Sequence, residues 1–185
     1  MTYGERAFTL VELMVVLAVS AIALSISLPD LRAVLQRYQL EVALTDLHGA
    51  IMLARSEAIG RGESVTITPR DTGGADWAQG WTIFIDRDGD LRPGSGDDTI
   101  ALHGPVARGI SIATSFTGSR RPDYLAYNSA GRSCGAGASM TARWGTFSLY
   151  QGEQIRRIKI NMLGRARSCD PARDGASCSG AEEVG

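Results

Sequence analysis

The stretch Phe8–Leu28 reads FTLVELMVVLAVSAIALSISL, and it decides how the rest of the chain is interpreted. Apart from small polar residues and one acid, Glu12, it is apolar, and it has the roughly 20 residues that a transmembrane helix needs. The leader ahead of it, residues 1–7, carries a single basic group, and the one Ala-x-Ala pattern lies inside the apolar run, unlike the layout of a secretory signal peptide. The sequence therefore predicts a membrane-spanning helix over residues 8–28.

Glu12 is the unusual residue of this segment. An ionised side chain at membrane depth costs about 2.5–3.5 kcal/mol, so the carboxylate needs either a partner or a position near the lipid headgroups. If Glu12 has a partner, another group must supply a positive charge inside the membrane or an assembly. If Glu12 instead lies near the headgroups, the segment is a plain anchor and residues 1–7 are never removed.

The residues around Glu12 resemble the start of type IV pilins and pseudopilins, on the run Ala7-Phe8-Thr9-Leu10-Val11-Glu12-Leu13-Met14-Val15-Val16. The resemblance implies that prepilin peptidase cuts between Ala7 and Phe8 and that Phe8 is N-methylated. It also implies that Glu12, fifth in the mature chain, binds the terminal amine of a neighbouring filament subunit. The family normally has Gly before the cut, where this chain has Ala7.

Helical periodicity continues after Pro29, so residues 29–60 are predicted to form an amphipathic second half of the helix. The sequence Gly60-Arg61-Gly62 then provides a helix end, because glycine adopts the backbone conformation of a C-terminal cap. The predicted apolar stripe recurs at spacings of three and four and consists of Leu40, Leu44, Leu47, Ile51, Ala54 and Ala58.

Residues 61–185 are predicted to form one β-rich domain. The fold class is α+β, of the type IV pilin kind, with a long N-terminal helix, transmembrane in its first half, packed on an antiparallel sheet. The predicted strands are rich in β-branched and aromatic residues and are Val65–Thr68, Trp81–Ile85, Ile110–Ala113, Tyr124–Tyr127, Thr146–Tyr150 and Ile155–Met162.

Three further motifs resemble the GspH/FimT family of minor pilins and pseudopilins: Leu53–Ile59, Gly80-Trp81 ahead of Phe84-Ile85-Asp86, and Gly164-Arg165-Ala166-Arg167. In FimT-type minor pilins a Gly-Arg-x-Arg segment is associated with binding DNA for uptake in natural transformation. The resemblance implies that Gly164 allows a tight turn and close backbone approach, while Arg165 and Arg167 contact phosphates. A GspH-like member would instead be a structural tip subunit of a type II secretion pseudopilus.

The charge distribution points towards an anionic ligand. Residues 1–103 hold 8 Arg or Lys against 14 Asp or Glu, whereas residues 104–185 hold 11 against 6. Arg156, Arg157 and Lys159 lie close to the Gly-Arg-x-Arg segment and are added as candidate DNA contacts. The alternative is that these cations protect a strand edge and bind nothing. Because no base-reading element is evident, the predicted DNA binding is independent of sequence.

An aspartate-rich segment carries a weak calcium hypothesis. Asp86, Asp88, Asp90 and Asp97 have the spacing of acidic positions in an EF-hand loop. Leu91 stands where that loop needs Gly, and no helical pattern flanks the segment. The sequence therefore favours an acidic hairpin loop, and neither a metal nor a cofactor is expected.

The three cysteines, Cys134, Cys169 and Cys178, all follow the predicted span, in the part that the resemblance assigns to the periplasm or the outside of the cell. Disulfides persist there, so one bond and one free thiol are expected, with all three pairings open. No enzymatic constellation is evident, and a non-enzymatic filament subunit is predicted. The resemblance implies a single-pass inner-membrane protein before assembly, with other pilin subunits and prepilin peptidase as partners.

Overall fold

The computed structural model describes residues 9–118, 121–136 and 139–179, except for the side chains of residues 23–30 and 139–140. The chain divides into two compact units, Met1–Tyr38 and Gln39–Gly185, and helix α1, Leu10–Arg61, contributes to both. The predicted leader, including Ala7, and the predicted mature N-terminus Phe8 lie outside the described residues.

The first unit shows how α1 begins. The Glu12 backbone N–H donates to Thr9 Oγ1 at 3.2 Å, and the Thr9 backbone N–H donates to Glu12 Oε2 at 3.3 Å. This reciprocal arrangement is a capping box, which satisfies two of the free N–H groups at a helix start. Glu12 therefore has a partner within its own chain that the sequence analysis did not anticipate.

Within the described residues, no helix combines the length and the apolar character needed to cross a membrane. The predicted span over residues 8–28 falls partly outside that description, because Phe8 and the side chains of residues 23–28 are not included.

In the second unit, α1 buries the predicted stripe. All six residues are buried, with relative exposures between 0% and 8%. The helix ends one residue later than predicted, at Arg61, and Gly62 follows it with φ 71°. The Gly62 N–H donates to the Ala58 carbonyl at 3.1 Å, which is the hydrogen bond of a left-handed C-terminal cap.

The remainder of the unit is antiparallel. The strands form a six-stranded sheet of order β3-β2-β1-β5-β6-β7 and a four-stranded sheet of order β10-β9-β8-β4. The short helix α2, Pro171–Asp174, and two 3₁₀ turns, Trp77–Gln79 and Gly175–Cys178, complete the elements. The strands are β1 Val65–Pro69, β2 Trp81–Ile85, β3 Asp98–His103, β4 Ser111–Phe116, β5 Leu125–Tyr127, β6 Ser133–Gly135, β7 Ser139–Ala142, β8 Gly145–Gln151, β9 Gln154–Ile160 and β10 Ala166–Cys169.

The six predicted strands correspond to β1, β2, β4, β5, β8 and β9, and the α+β class with a long helix against antiparallel sheet is confirmed. The strands that the sequence missed are β3, β6, β7 and β10, which are short, polar or glycine-containing and so lack a clear strand signal. Strand β10, which contains Arg167, is the first strand of the four-stranded sheet and pairs with β9, where Lys159 lies opposite Arg167. Strand β10 is therefore an edge strand.

The core lies between the α1 stripe and both sheets. Ile67 and Leu125 enter it from the six-stranded sheet, and Phe147 and Ile158 enter it from the four-stranded sheet, all fully buried. Burying each side chain of this size contributes about 1.5–3 kcal/mol. On β9, Ile158 and Ile160 face this core, and Arg157 and Lys159 alternate with them on the opposite face of the strand.

Candidate nucleic-acid interface

Gly164 lies in the tight turn that joins β9 to β10. Its φ is 76°, and its N–H donates to the Asn161 carbonyl at 2.9 Å. A Cβ added to Gly164 would lie 2.5 Å from the Gly131 carbonyl oxygen and 2.8 Å from the Ser133 nitrogen. The tight turn and the close backbone approach expected of this glycine are both present, but the approach is to another turn of the same domain.

Arg165 follows this turn with an exposed side chain. Its backbone is fixed on both sides: the Asn161 Oδ1 accepts its N–H at 2.9 Å, and its carbonyl accepts the Asn161 N–H at 3.1 Å. Among the described residues its guanidinium has neither a carboxylate nor a hydrogen-bond acceptor within reach. The turn thus holds a positive charge at the surface without neutralising it.

Arg167, Lys159 and Arg157 lie along β9 and β10 and interact with the C-terminal tail. The Ser177 carbonyl accepts from Arg167 Nη2 at 2.9 Å and from Lys159 Nζ at 3.2 Å. The Cys178 carbonyl accepts from Arg157 Nη1 at 2.6 Å. These acceptors are neutral carbonyl oxygens, and they orient the three side chains towards the tail.

A disulfide holds this tail in place. Cys169 at the end of β10 is bonded to Cys178, with a Cα–Cα distance of 5.8 Å, and closes what we call the tail loop, Cys169–Cys178. Cys134 is a free, buried thiol, and burial raises its pKa. Of the three pairings that the sequence left open, the structure has the short one.

Arg156 differs from the other predicted contacts, because it is paired with two acids. Its Nε lies 2.6 Å from Glu41 Oε1 on α1, and its Nη1 lies 3.2 Å from Asp170 Oδ2 in the tail loop. The side chain is only 16% exposed. It connects the helix, the four-stranded sheet and the tail loop, and its charge is compensated there.

The aspartate-rich segment forms a loop between β2 and β3. Carboxylate oxygens of Asp86, Asp88 and Asp97 lie within 4.8 Å of one another, whereas Asp90 is not part of this group. These side chains accept N–H groups of their own loop; Asp97, for example, accepts from Arg87 at 3.0 Å and from Gly94 at 2.8 Å. These hydrogen bonds hold the loop together, and three of the four acids singled out in the sequence lie close to one another within it.

The position that would need Gly in an EF-hand is occupied by Leu91, which adopts a φ of 66°. A side chain in this region costs roughly 1–2 kcal/mol. Leu91 is almost fully buried against Tyr124, Ala126 and Cys134, and that burial offsets the cost.

The domain contains a buried charge pair that no sequence pattern predicted. Arg143 is 4% exposed, and its Nη2 lies 3.0 Å from Asp123 Oδ1, while its Nε donates to the Tyr124 carbonyl at 3.1 Å. The guanidinium also stacks 4.2 Å from the Tyr124 ring centroid. One cation of the basic C-terminal half is therefore internal, and a count of charges cannot reveal this.

Two family models match the chain. Residues 43–164 match the family described as type II transport protein GspH, and residues 3–28 match the prokaryotic N-terminal methylation motif. No curated protein sequence matches significantly.

The fold is similar to solved structures of two kinds of filament subunit. The type IV minor pilin FimU of Pseudomonas aeruginosa PAO1 has 20% identity and a TM-score of 0.57, over 77% of this chain and 97% of that chain. A second crystal form of FimU has 19% identity and a TM-score of 0.54, over 75% and 99%. The minor pseudopilin EpsH of the Vibrio cholerae type 2 secretion system has 15% identity and a TM-score of 0.51, over 73% and 99%. At these identities the similarity is one of fold.

Proposed function

The chain belongs to the family of type II transport protein GspH, and from this membership we propose that it is a minor pilin that binds DNA without sequence preference. In this proposal the subunit is part of a type IV pilus, captures DNA for uptake in natural transformation and contributes to pilus biogenesis. Its role is that of a filament subunit and not of an enzyme.

The DNA proposal rests chiefly on Arg165, which presents an uncompensated positive charge at the surface. Its backbone is fixed by Asn161, its side chain is exposed, and no described carboxylate neutralises it. Arginine pairs with phosphate through its planar fork, and a fixed backbone reduces the entropy lost when it does so. A phosphodiester backbone is the ligand that suits such a group.

Arg167 supplies the second proposed contact. Its exposed guanidinium keeps its charge, because its partner within the domain is the neutral Ser177 carbonyl. Lys159 donates to the same carbonyl and adds to the positive field of this face, and Arg157 is a further proposed contact on β9. Contacts of this kind bind phosphates and carry no base information, so we expect binding to any duplex.

Processing and assembly form the second part of the proposal. The match to the N-terminal methylation motif supports cleavage between Ala7 and Phe8 by prepilin peptidase and methylation of Phe8. We propose that Glu12 then exchanges its capping-box contacts for the Phe8 amine of a neighbouring subunit. The exposed apolar side chains around it, such as Leu13 and Val16, suit the inner membrane before assembly and other pilin subunits afterwards.

The test uses gel shifts of duplex DNA with the full-length protein in detergent at low salt. Replacing Arg165 and Arg167 together by Ala should remove most of the shift. The matched control is the pair Arg92→Ala and Arg108→Ala, which removes two exposed charges elsewhere and should leave the shift in place. Equal binding by the two double variants would refute the assignment of Arg165 and Arg167.

A second candidate function is that of a structural tip subunit of a type II secretion pseudopilus. It is favoured by an apolar groove between α1 and the β2–β3 hairpin, whose rim residues Leu53 and Leu102 are 37% and 64% exposed. A rim of this kind suits contacts with another subunit. This candidate predicts no DNA shift for the wild-type protein, and loss of protein export after deletion of the gene.

A further inference from the structure

Two turns in the second unit share one sequence pattern and one hydrogen-bond pattern. Residues 128–132, NSAGR, join β5 to β6, and residues 161–165, NMLGR, join β9 to β10. In the first turn the Asn128 Oδ1 accepts the N–H groups of the third and fifth residues, both at 3.1 Å. In the second turn the Asn161 Oδ1 accepts the same two groups at 3.1 and 2.9 Å.

The main-chain bonds repeat as well. The Asn N–H donates to the carbonyl of the fifth residue at 3.0 Å in the first turn and 3.1 Å in the second. The Gly N–H donates to the Asn carbonyl at 2.8 and 2.9 Å, with φ values of 70° for Gly131 and 76° for Gly164. The asparagine and the glycine therefore fix each turn, and each turn ends in an arginine.

The two turns pack against each other through their glycines. A Cβ on Gly164 would meet the Gly131 carbonyl and the Ser133 nitrogen, the two groups on either side of Arg132. Arg132 and Arg165 consequently start from adjacent points of the surface, and both are exposed. A side chain at Gly164 would separate them.

A third arginine lies at the same place. A Cβ on Gly131 would be 3.3 Å from Arg55 Nε, so the Arg55 side chain packs over that glycine from α1. Among the described residues, none of Arg55, Arg132 and Arg165 has an ion-pair partner. Like charges placed together without counter-charge repel each other, and a bound anion relieves that repulsion.

The surroundings limit the direction from which such an anion approaches. The acidic loop at Asp86 and Asp88 lines a pocket together with residues 128–130 of the first turn. A polyanion is repelled from that side.

We infer that the paired Asn-x-x-Gly-Arg turns form one phosphate-binding surface, in which Arg132 is the counterpart of Arg165 and Arg55 is a third contact. The inference rests on the proposed DNA binding and deepens it, because it adds two arginines that lie far from the Gly-Arg-x-Arg segment in sequence. The ligand is the phosphodiester backbone of duplex DNA, which can place phosphates on both turns.

The test measures the salt dependence of binding of a short fluorescein-labelled duplex to the full-length protein by anisotropy. The compared variants are Arg132→Ala, Arg165→Ala, the double variant and Arg108→Ala, the last removing an exposed charge outside the turns. Each phosphate contact contributes about 0.9 to the slope of log affinity against log salt. We expect a decrease of about 1 for each single turn variant, about 2 for the double variant and none for Arg108→Ala.

Two outcomes separate this inference from the proposed function. Absence of salt-dependent binding by the wild-type protein overturns both. A reduced slope for Arg165→Ala, together with an Arg132→Ala slope equal to that of Arg108→Ala, overturns only the paired-turn surface. Arg55→Ala tests the third contact in the same assay. If Arg132→Ala lowers the unfolding midpoint, Arg132→Gln keeps the volume and the assay is read on that variant.

Discussion

The guanidinium of Arg156 on β9 and the carboxylate of Glu41 on α1 form an ion pair with an Nε–Oε1 distance of 2.6 Å. The same guanidinium reaches Asp170 at 3.2 Å, so one side chain links three elements of the domain. Because it is only 16% exposed, removing it leaves the half-buried Asp170 carboxylate with little compensation. Arg156 is thus a stabilising residue, although its neighbours in sequence suggested a DNA contact.

Replacing Arg156 by Ala should lower the free energy of unfolding by about 2 kcal/mol, since a largely buried charge-assisted contact is lost. Chemical denaturation of the full-length protein measures this. Arg173→Ala is the matched control: its guanidinium is 86% exposed and 3.8 Å from the same Asp170, so stability should hardly change. The interpretation fails if Arg156→Ala weakens DNA binding at unchanged stability.

Replacing Gly164 by Ala should destabilise the domain by about 2–4 kcal/mol, because the methyl group meets backbone atoms and the residue has positive φ. Gly109 has a φ of 86° and open space around its missing Cβ. Gly109→Ala therefore carries the backbone strain alone, and should cost about 1 kcal/mol. Thermal unfolding of both variants gives the comparison, and equal losses would show that the contact with Gly131 contributes nothing.

Replacing Cys169 and Cys178 together by Ser should lower the free energy of unfolding by about 2–3 kcal/mol, as expected for opening a short loop. The tail loop is then free to leave Arg157, Lys159 and Arg167. Denaturation with and without dithiothreitol provides the control: reductant should weaken the wild-type protein to the level of the double variant and leave the double variant unchanged. A wild-type protein insensitive to reductant would contradict the pairing.

Cys134 should be unreactive in the folded protein. The residue is 1% exposed and burial raises the pKa of its thiol, so little thiolate is present and reagents cannot reach it. Titration with Ellman's reagent should detect no thiol under native conditions and one thiol per chain in guanidinium chloride. Detection of a thiol in the native protein would contradict this burial.

The ion pair between Arg87 and Asp98 should give an acid-sensitive contribution to stability. The Arg87 hydrogen bond and charge hold the pKa of Asp98 below its ordinary value of 3.8. A depressed acid pKa stabilises the fold above that ordinary value, and the contribution disappears as the pH falls through the folded-state pKa. Melting temperatures of wild type and Asp98→Asn should therefore differ at neutral pH and converge in acid, and a constant difference would exclude the pair.

Local patterns were sufficient for much of the fold. The stripe from Leu40 to Ala58 is a three- and four-residue repetition, and it predicted the buried face of α1 before any partner was known. The alternation around Ile158 and Ile160 predicted the buried face of β9 in the same way. Short strands such as β6 and β10 gave no such signal, because their pairing depends on neighbours distant in sequence.

The candidate site was predicted less completely. Arg165 and Arg167 were selected by resemblance, and both are exposed, whereas Arg156 was added on charge and proximity, and its two acidic partners could not be read from the sequence. Arg132 was not selected, although the Asn-x-x-Gly-Arg spacing is readable at residues 128–132 and 161–165. The sequence alone does not show that the two turns are in contact, and it is this contact that places Arg132 beside Arg165.

By itself the sequence determined the helix, most of the strands, the membrane-length segment and the acid within it, because each depends on spacing along one continuous piece of chain. The tertiary structure alone decided which cations are paired with acids, which are held by the tail loop, which cysteines are bonded, and which turns meet. These outcomes depend on distances between atoms far apart in sequence, and such distances exist only after the helix and both sheets have packed around one core.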